Sequence, residues 1–167
     1  DGSSNFGPEN RWASFHSFAA SWRFSNEKFI KSIAGKWLSN GKIRIGWGQT
    51  GNANIGAYKW GTTVTKFLVG QTSVAYRPTN IPNTSIKWET QEQTNIGLDL
   101  TILGNRLTFY ADYYYKKTKD MLMNITLPAG SAAARNLTYN GGSMINKGWE
   151  FAISSQNLTG ALKWNTD

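Results

Sequence analysis

TNIGLDLTIL, residues Thr94 to Leu103, decides the fold: Ile96, Leu98, Leu100 and Ile102 fall on one parity, with Asn95, Gly97, Asp99 and Thr101 on the other. Period-two alternation describes a strand with two chemically different sides. Two more stretches repeat it. In RLTFYADYYYK (Arg106 to Lys116), Leu107, Phe109, Ala111, Tyr113 and Tyr115 oppose Arg106, Thr108, Tyr110, Asp112 and Lys116. In GWEFAISSQ (Gly148 to Gln156), Trp149, Phe151 and Ile153 oppose Glu150, Ala152, Ser154 and Gln156. Ordinary strands average five or six residues, whereas a tilted strand crossing a bilayer needs about 9–11. The apolar side therefore meets either a protein core or lipid, and strand length leans toward lipid.

Three shorter candidates extend the pattern. FHSFAASWRF (Phe15 to Phe24) sets Phe18, Ala20, Trp22 and Phe24 against Ser17, Ala19, Ser21 and Arg23. KIRIGWG (Lys42 to Gly48) sets Ile43, Ile45 and Trp47 against Lys42, Arg44, Gly46 and Gly48, and ALKW begins a sixth strand near the end. In all six, Arg23, Lys42, Arg44, Asp99, Arg106, Asp112, Lys116, Glu150 and Lys163 share the polar parity; Lys117 and Lys119 depart from it only beyond the span.

The connections alternate in length. Gly104-Asn105 suits a two-residue hairpin turn, and NLTG after Gln156 suits another tight turn. Between Phe24 and Lys42 a short helix is expected, capped by Ser25 or Asn26, with Phe29, Ile30 and Ile33 as its apolar stripe. The N-terminal stretch and the segments from Gly51 to about Lys87 and from about Asp120 to Asn146 are long and irregular. In up-and-down order the short connections share one end and the long ones the other, which is the wiring of an outer-membrane barrel. Trp47, Tyr113, Tyr115 and Trp149 fall toward the long-loop end, and Trp22 and Phe24 toward the other, as interfacial girdles require. The alternative is a soluble, aromatic-rich β-sandwich that binds carbohydrate.

Composition agrees with an all-β chain: 167 residues, 17% charged and 14% aromatic, with 17 Gly and only 4 Pro. There is no cysteine, hence no disulfide framework and no thiol chemistry. The chain opens on DGSSNFG, without a signal-peptide pattern, and closes on LKWNTD inside a strand pattern, so both ends read as cuts through a longer protein. The net charge of +8 is dispersed, with Lys116-Lys117 its only adjacent basic pair, so no nucleic-acid partner is expected.

Motifs with catalytic overtones fail on context. GWGQTG places glycines at 46, 48 and 51, but neither a helix nor an acidic residue follows where a dinucleotide site needs them. His16 is the sole histidine and lacks partners for a triad or a metal site. Asp99, Asp112 and Glu150 look like a charged wall beside Arg106, Lys42 and Arg44 more than a carboxylate pair for glycoside chemistry. No enzyme activity and no cofactor or metal is expected. The loop aromatics Tyr58, Trp60, Phe67, Tyr76, Trp88 and Tyr139 suit stacking on cargo or packing the loops together, with nothing to choose between the two.

Blocks in order along almost the whole chain resemble the SusC/RagA-type TonB-dependent outer-membrane transporters of Bacteroidota. DGSSNFGPENRWASFHS is similar to the family's external hairpin, which usually ends Phe-Pro-Ser where this chain has His16. SWRFSNEKFI and KIRIGWGQTGNANIGAY resemble its Gly-Trp-x-Ile-Ser-x-Glu-x-Phe and Lys-x-Arg-x-Ser-x-Gly-x-Thr-Gly-Asn segments. IKWETQEQTNIGLDL, DYYYKKTKDML and NKGWEFAI resemble its Trp-Glu…Asn-x-Gly-x-Asp, Asp-x-Tyr-x-Lys-x-Thr-x-Asp-x-Leu and Asn-x-Gly-x-Glu blocks. The resemblance implies antiparallel up-and-down strands forming part of a large transmembrane β-barrel in the outer membrane. It also implies a TonB complex, a SusD-like surface lipoprotein, and a glycan or peptide cargo. Residues 1–167 would form one partial barrel domain of about six strands, without the plug. Arg44, Asp99, Arg106, Asp112 and Glu150 would line the lumen, the apolar parity would meet lipid, and Tyr58, Trp60, Phe67, Tyr76 and Tyr139 would be external-loop contacts.

Overall fold

A computed structural model describes every residue except Gln71. The strands are β1 (Ser17–Trp22), β2 (Leu38–Asn52), β3 (Val64–Val69), β4 (Ser73–Pro78), β5 (Asn80–Ile81) and β6 (Glu89–Ile102). They continue with β7 (Leu107–Lys119), β8 (Leu122–Thr126), β9 (Asn136–Asn140), β10 (Ser143–Thr159) and β11 (Lys163–Thr166). A single 3-10 turn and the helix α1 (Lys28–Ala34) lie between β1 and β2.

Six strands form one sheet in the order β1-β2-β6-β7-β10-β11, the six expected from alternation and in up-and-down sequence. In β1 and β2, Phe18 faces Trp47, Ala20 faces Ile45 and Trp22 faces Ile43, so directly opposed apolar residues share a face. The complementary pairs Ala19 with Gly46 and Ser21 with Arg44 share the other. That apolar face is not a sandwich interior. Phe18 is 70% exposed and Trp149 and Phe151 64% each, whereas a soluble sandwich would bury them against a second sheet. Rings line up along this face instead: Phe109 with Phe151, Phe151 with Trp149, and Trp149 with Tyr113, at centroid separations of 6.2, 6.0 and 5.0 Å.

Several local expectations need correcting. β2, β6, β7 and β10 run for 15, 14, 13 and 17 residues, well past their alternating cores. Lys117 and Lys119 accordingly stay inside β7. The helix forms, but its cap is Glu27 with no side-chain bond, while Ser25 is buried in the 3-10 turn before it. The turn placed at NLTG falls after Thr159, because the register shifts between Gln156 and Leu158 and lets β10 continue. The hairpin bends at Gly104-Asn105 as expected, with φ of 63° and 69°, but Leu103 joins the turn at φ 55°, so four residues rather than two separate β6 from β7.

The chain gathers into two compact units. One comprises Ser17–Gly48, Glu92–Lys116 and Ile145–Asp167; the other comprises Asp1–His16, Gln49–Gln91 and Lys117–Met144. The second contains the stretches read as irregular, and they are structured. β3 and β4 form a hairpin, and β5, β9 and β8 a three-stranded sheet. Phe6, Ile55 and Ile86 form its core, Phe6 and Ile86 being fully buried, with Trp60, Trp88 and Leu122 packed on them. Asparagine amides stand in for ladder bonds where the chain is neither helix nor strand. Asn80 accepts from the Thr63 N–H at 2.8 Å and donates to the Gly61 carbonyl at 2.7 Å. Asn140 accepts from the Lys87 N–H and donates to the carbonyls of Lys87 and Asp120, each at 2.8 Å.

Candidate functional site

The polar face of the six-stranded sheet carries one tight constellation. Arg44 stands on β2, Asp99 on β6 and Asp112 on β7, three neighbouring strands. The Arg44 Nε donates to both Asp99 carboxylate oxygens at 3.0 Å, and Nη2 donates to Asp99 Oδ1 at 2.8 Å. The same Nη2 reaches both oxygens of Asp112 at 3.0 Å. One guanidinium thus clasps two carboxylates that would otherwise repel each other on adjacent strands.

Strand spacing explains why this needs a glycine. Neighbouring strands lie about 4.8 Å apart, so a side chain on β2 must cross over all of β6 to meet one on β7. Arg44 makes that crossing above Gly97. A Cβ at Gly97 would stand 2.5 Å from Asp112 Oδ1 and 2.6 Å from the Arg44 Cζ. The missing side chain is the passage. A hollow of about 310 Å³ opens beside it, lined by Ala19, Ser21, Lys42, Gly46 and Asn95 among others, where small residues leave the face bare.

The other lumen candidates lie elsewhere. Arg106, at the turn before β7, donates from Nη2 to the Thr159 hydroxyl at 2.9 Å. Glu150 is exposed on β10 and takes no part in the clasp. Of the five, three come together and two do not. Sequence reasoning missed Tyr114, on the Asp112 parity, whose hydroxyl would lie 2.9 Å from a Cβ at Gly148 on β10. Both glycines sit among alternating residues on the polar parity, and that was the available signal: a strand glycine marks a close approach.

The structure also divides the loop aromatics. Trp60 packs on the Phe6 core, with its indole Nε1 buried and unpartnered, and Tyr139 lies over Gly141. Trp60 thus serves to pack the loops, while the Tyr139 contact is local to its own segment. Tyr58, at φ 56°, and Tyr76 are 63% and 67% exposed. Phe67 carries the Arg77 guanidinium 5.8 Å above its ring.

Among the described residues no group of acidic and histidine side chains could hold a metal ion. With Asp99 and Asp112 both held by the one Arg44 guanidinium, the polar face can line a path or bind polar solute.

Known proteins agree with this geometry. The family model for the TonB dependent receptor-like, beta-barrel matches residues 1–167. The TonB-dependent receptor SusC of Bacteroides thetaiotaomicron is 36% identical over 163 residues, covering 93% of this chain and 16% of the relative. The TonB-dependent receptor P3 of Formosa agariphila is 38% identical over 173 residues, covering 99% of this chain and 17% of the relative. A structure of the RagAB peptide importer in the closed-closed state superposes with a TM-score of 0.84 at 30% identity, over 96% of this chain and 17% of that one. The chain thus spans about a sixth of the length of these proteins. With one face of its sheet apolar and uncovered, and kinship running through its whole length, the chain belongs to the TonB-dependent receptor-like β-barrel family of the outer membrane.

Proposed function

We propose that this chain supplies wall strands and external loops to a TonB-dependent outer-membrane importer of glycan or peptide oligomers. The observation that carries this is the division of the sheet: rings and aliphatics exposed on one face, and on the other a charge set closed on itself by Arg44. Lipid suits the first face, and a wet lumen suits the second. Six strands cannot close a wide lumen, so the remaining strands and a plug come from the rest of the protein, and residues 1–167 form part of one barrel domain. Kinship to SusC and to the RagAB peptide importer supports oligomeric cargo, a SusD-like surface lipoprotein over the loops, and opening driven by a TonB complex. The loops contribute surface through Tyr58 and Tyr76, and Arg44, Asp99 and Asp112 contribute wall. Arg106 and Glu150 line the same lumen away from the clasp. No residue performs chemistry on the cargo.

Uptake of labelled oligosaccharides and oligopeptides by cells carrying the full-length protein tests the reading. Accumulation of at least one class should need both the protein and an energised TonB complex. Accumulation of neither, or accumulation indifferent to TonB, would overturn it.

A further inference from the structure

The strand unit, with ten Lys and Arg against six Asp and Glu, carries the same excess of four positive charges as the loop unit, but the loop unit has fewer acids to answer its cations. It holds eight Lys and Arg against four Asp and Glu. Two of those four acids are already committed. Asp120 pairs with Lys87 at 3.0 Å, and Glu89 accepts from the Asn52 amide and the Leu122 N–H. Two arginines nevertheless converge on one hollow of about 300 Å³, Arg77 from β4 and Arg135 from the turn before β9. Thr79, Ala133, Ala134 and Asn136 complete most of its wall, and no carboxylate lines it. Among the described residues neither arginine forms an ion pair.

Both guanidiniums are held in place. Arg77 lies over the Phe67 ring, a cation–π contact that tethers the guanidinium to its own hairpin. Arg135 donates from Nε to the Leu127 carbonyl at 2.7 Å, while its own carbonyl accepts the Leu127 N–H at 2.8 Å. Side chain and backbone thus clamp the same residue, and the Nη groups remain for a ligand. Two tethered cations border one small-walled hollow, and an anion bound there would meet both. Arg44 on the strand sheet shows the opposite solution, with two carboxylates built in. Planar forks are the natural partners of carboxylates.

We propose that Arg77 and Arg135 form a carboxylate-binding subsite on the loops, selecting oligomers that carry an acidic group. The inference rests on the importer reading and narrows its cargo. A carboxylate can come from a uronic-acid sugar or from an acidic peptide, and the test separates these sources.

Binding to the purified full-length protein in detergent is measured by calorimetry with four probes: trigalacturonate, galactotriose, tetraglutamate and tetraglutamine. At least one acidic probe should bind roughly tenfold or more tighter than its neutral counterpart, and the acidic probe that does so names the source. Arg77→Gln and Arg135→Gln should each weaken it by about tenfold, with milder losses in the lysine variants, which keep charge but lose the fork. Lys66→Gln is the control. Lys66 sits on the same hairpin but faces Tyr76, on the side away from Phe67, and its loss should change little. Equal binding of acidic and neutral probes overturns the subsite, as does an equal loss in Lys66→Gln. Uptake assays keep the two readings apart: TonB-dependent uptake of neutral oligomers with indifferent arginine variants sinks the subsite alone. Acid-selective binding without any uptake sinks the importer alone.

Discussion

Gly97→Ala adds a single methyl group, and the structure assigns it a cost that depends on another residue. The new Cβ would stand 2.5 Å from Asp112 Oδ1 and 2.6 Å from the Arg44 Cζ and Nη2. Carbon and oxygen need about 3.4 Å or more, so the atoms must part by nearly 1 Å. All of them end flexible side chains, so the backbone stays and the Arg44–Asp112 arm gives way, its 3.0 Å bonds stretching past hydrogen-bonding range. The Asp99 arm, made through Nε, survives. Losing one charge-assisted arm at a half-exposed site costs about 1–2 kcal/mol. Alanine in a strand regains about 0.5–1 kcal/mol over glycine. The net is a loss of roughly 0.5–1 kcal/mol. In an Arg44→Gln background there is no arm to lose, and the same methyl should be neutral or stabilising. Urea unfolding of the full-length barrel in lipid, followed by heat-modifiable gel mobility, gives the four corners of the cycle. An equal cost for Gly97→Ala with and without Arg44 would refute the passage above Gly97.

Lipid and lumen faces should respond differently to charge. Leu98→Arg should cost roughly 2–4 kcal/mol in the same assay and Thr101→Arg, three residues along β6 on the other parity, far less; equal costs would reverse the assigned faces. Trp149→Ala removes ring contacts to Tyr113 and Phe151 and should cost about 1–2 kcal/mol, read from the urea midpoint. Phe6→Ala opens the loop core where the side chain is fully buried and should cost about 3–5 kcal/mol. That change should appear as protease cleavage within residues 49–91 while gel mobility stays that of folded barrel.

The wall was legible because lipid and water impose opposite demands on alternate residues. Leu98 and Asp99 differ by one position and stand on opposite faces of the sheet, one apolar and one charged, so the pattern is strict for about ten residues. Outside the bilayer that demand disappears. In Glu89 to Gln93, ETQEQ is polar on both parities, yet it belongs to β6 as fully as Leu98 does. The strand ends were therefore invisible, as were β3, β4, β5, β8 and β9, whose support comes from neighbouring strands and from Asn80 and Asn140. The charged face was read as a set, but its grouping was not. Arg44, Asp99 and Asp112 meet across three strands, a matter of register that periodicity does not encode. Arg106 and Glu150 share their parity and stand elsewhere on the sheet.

The same reasoning separates the two arginine sites in kind. Arg44 is answered by Asp99 and Asp112 from its own sheet, so its positive charge is spent within the protein and the clasp as a whole keeps one negative charge. Arg77 and Arg135 have no such answer among the described residues, although the loop that holds them is stitched by many side-chain bonds. A fold that places asparagine amides so fully had the means to place an acid beside them. If the paired arginine and the two unpaired ones divide the labour, then Arg44→Gln should change barrel stability and leave probe affinity alone, and Arg135→Gln should do the reverse. Both variants losing affinity together would refute that division.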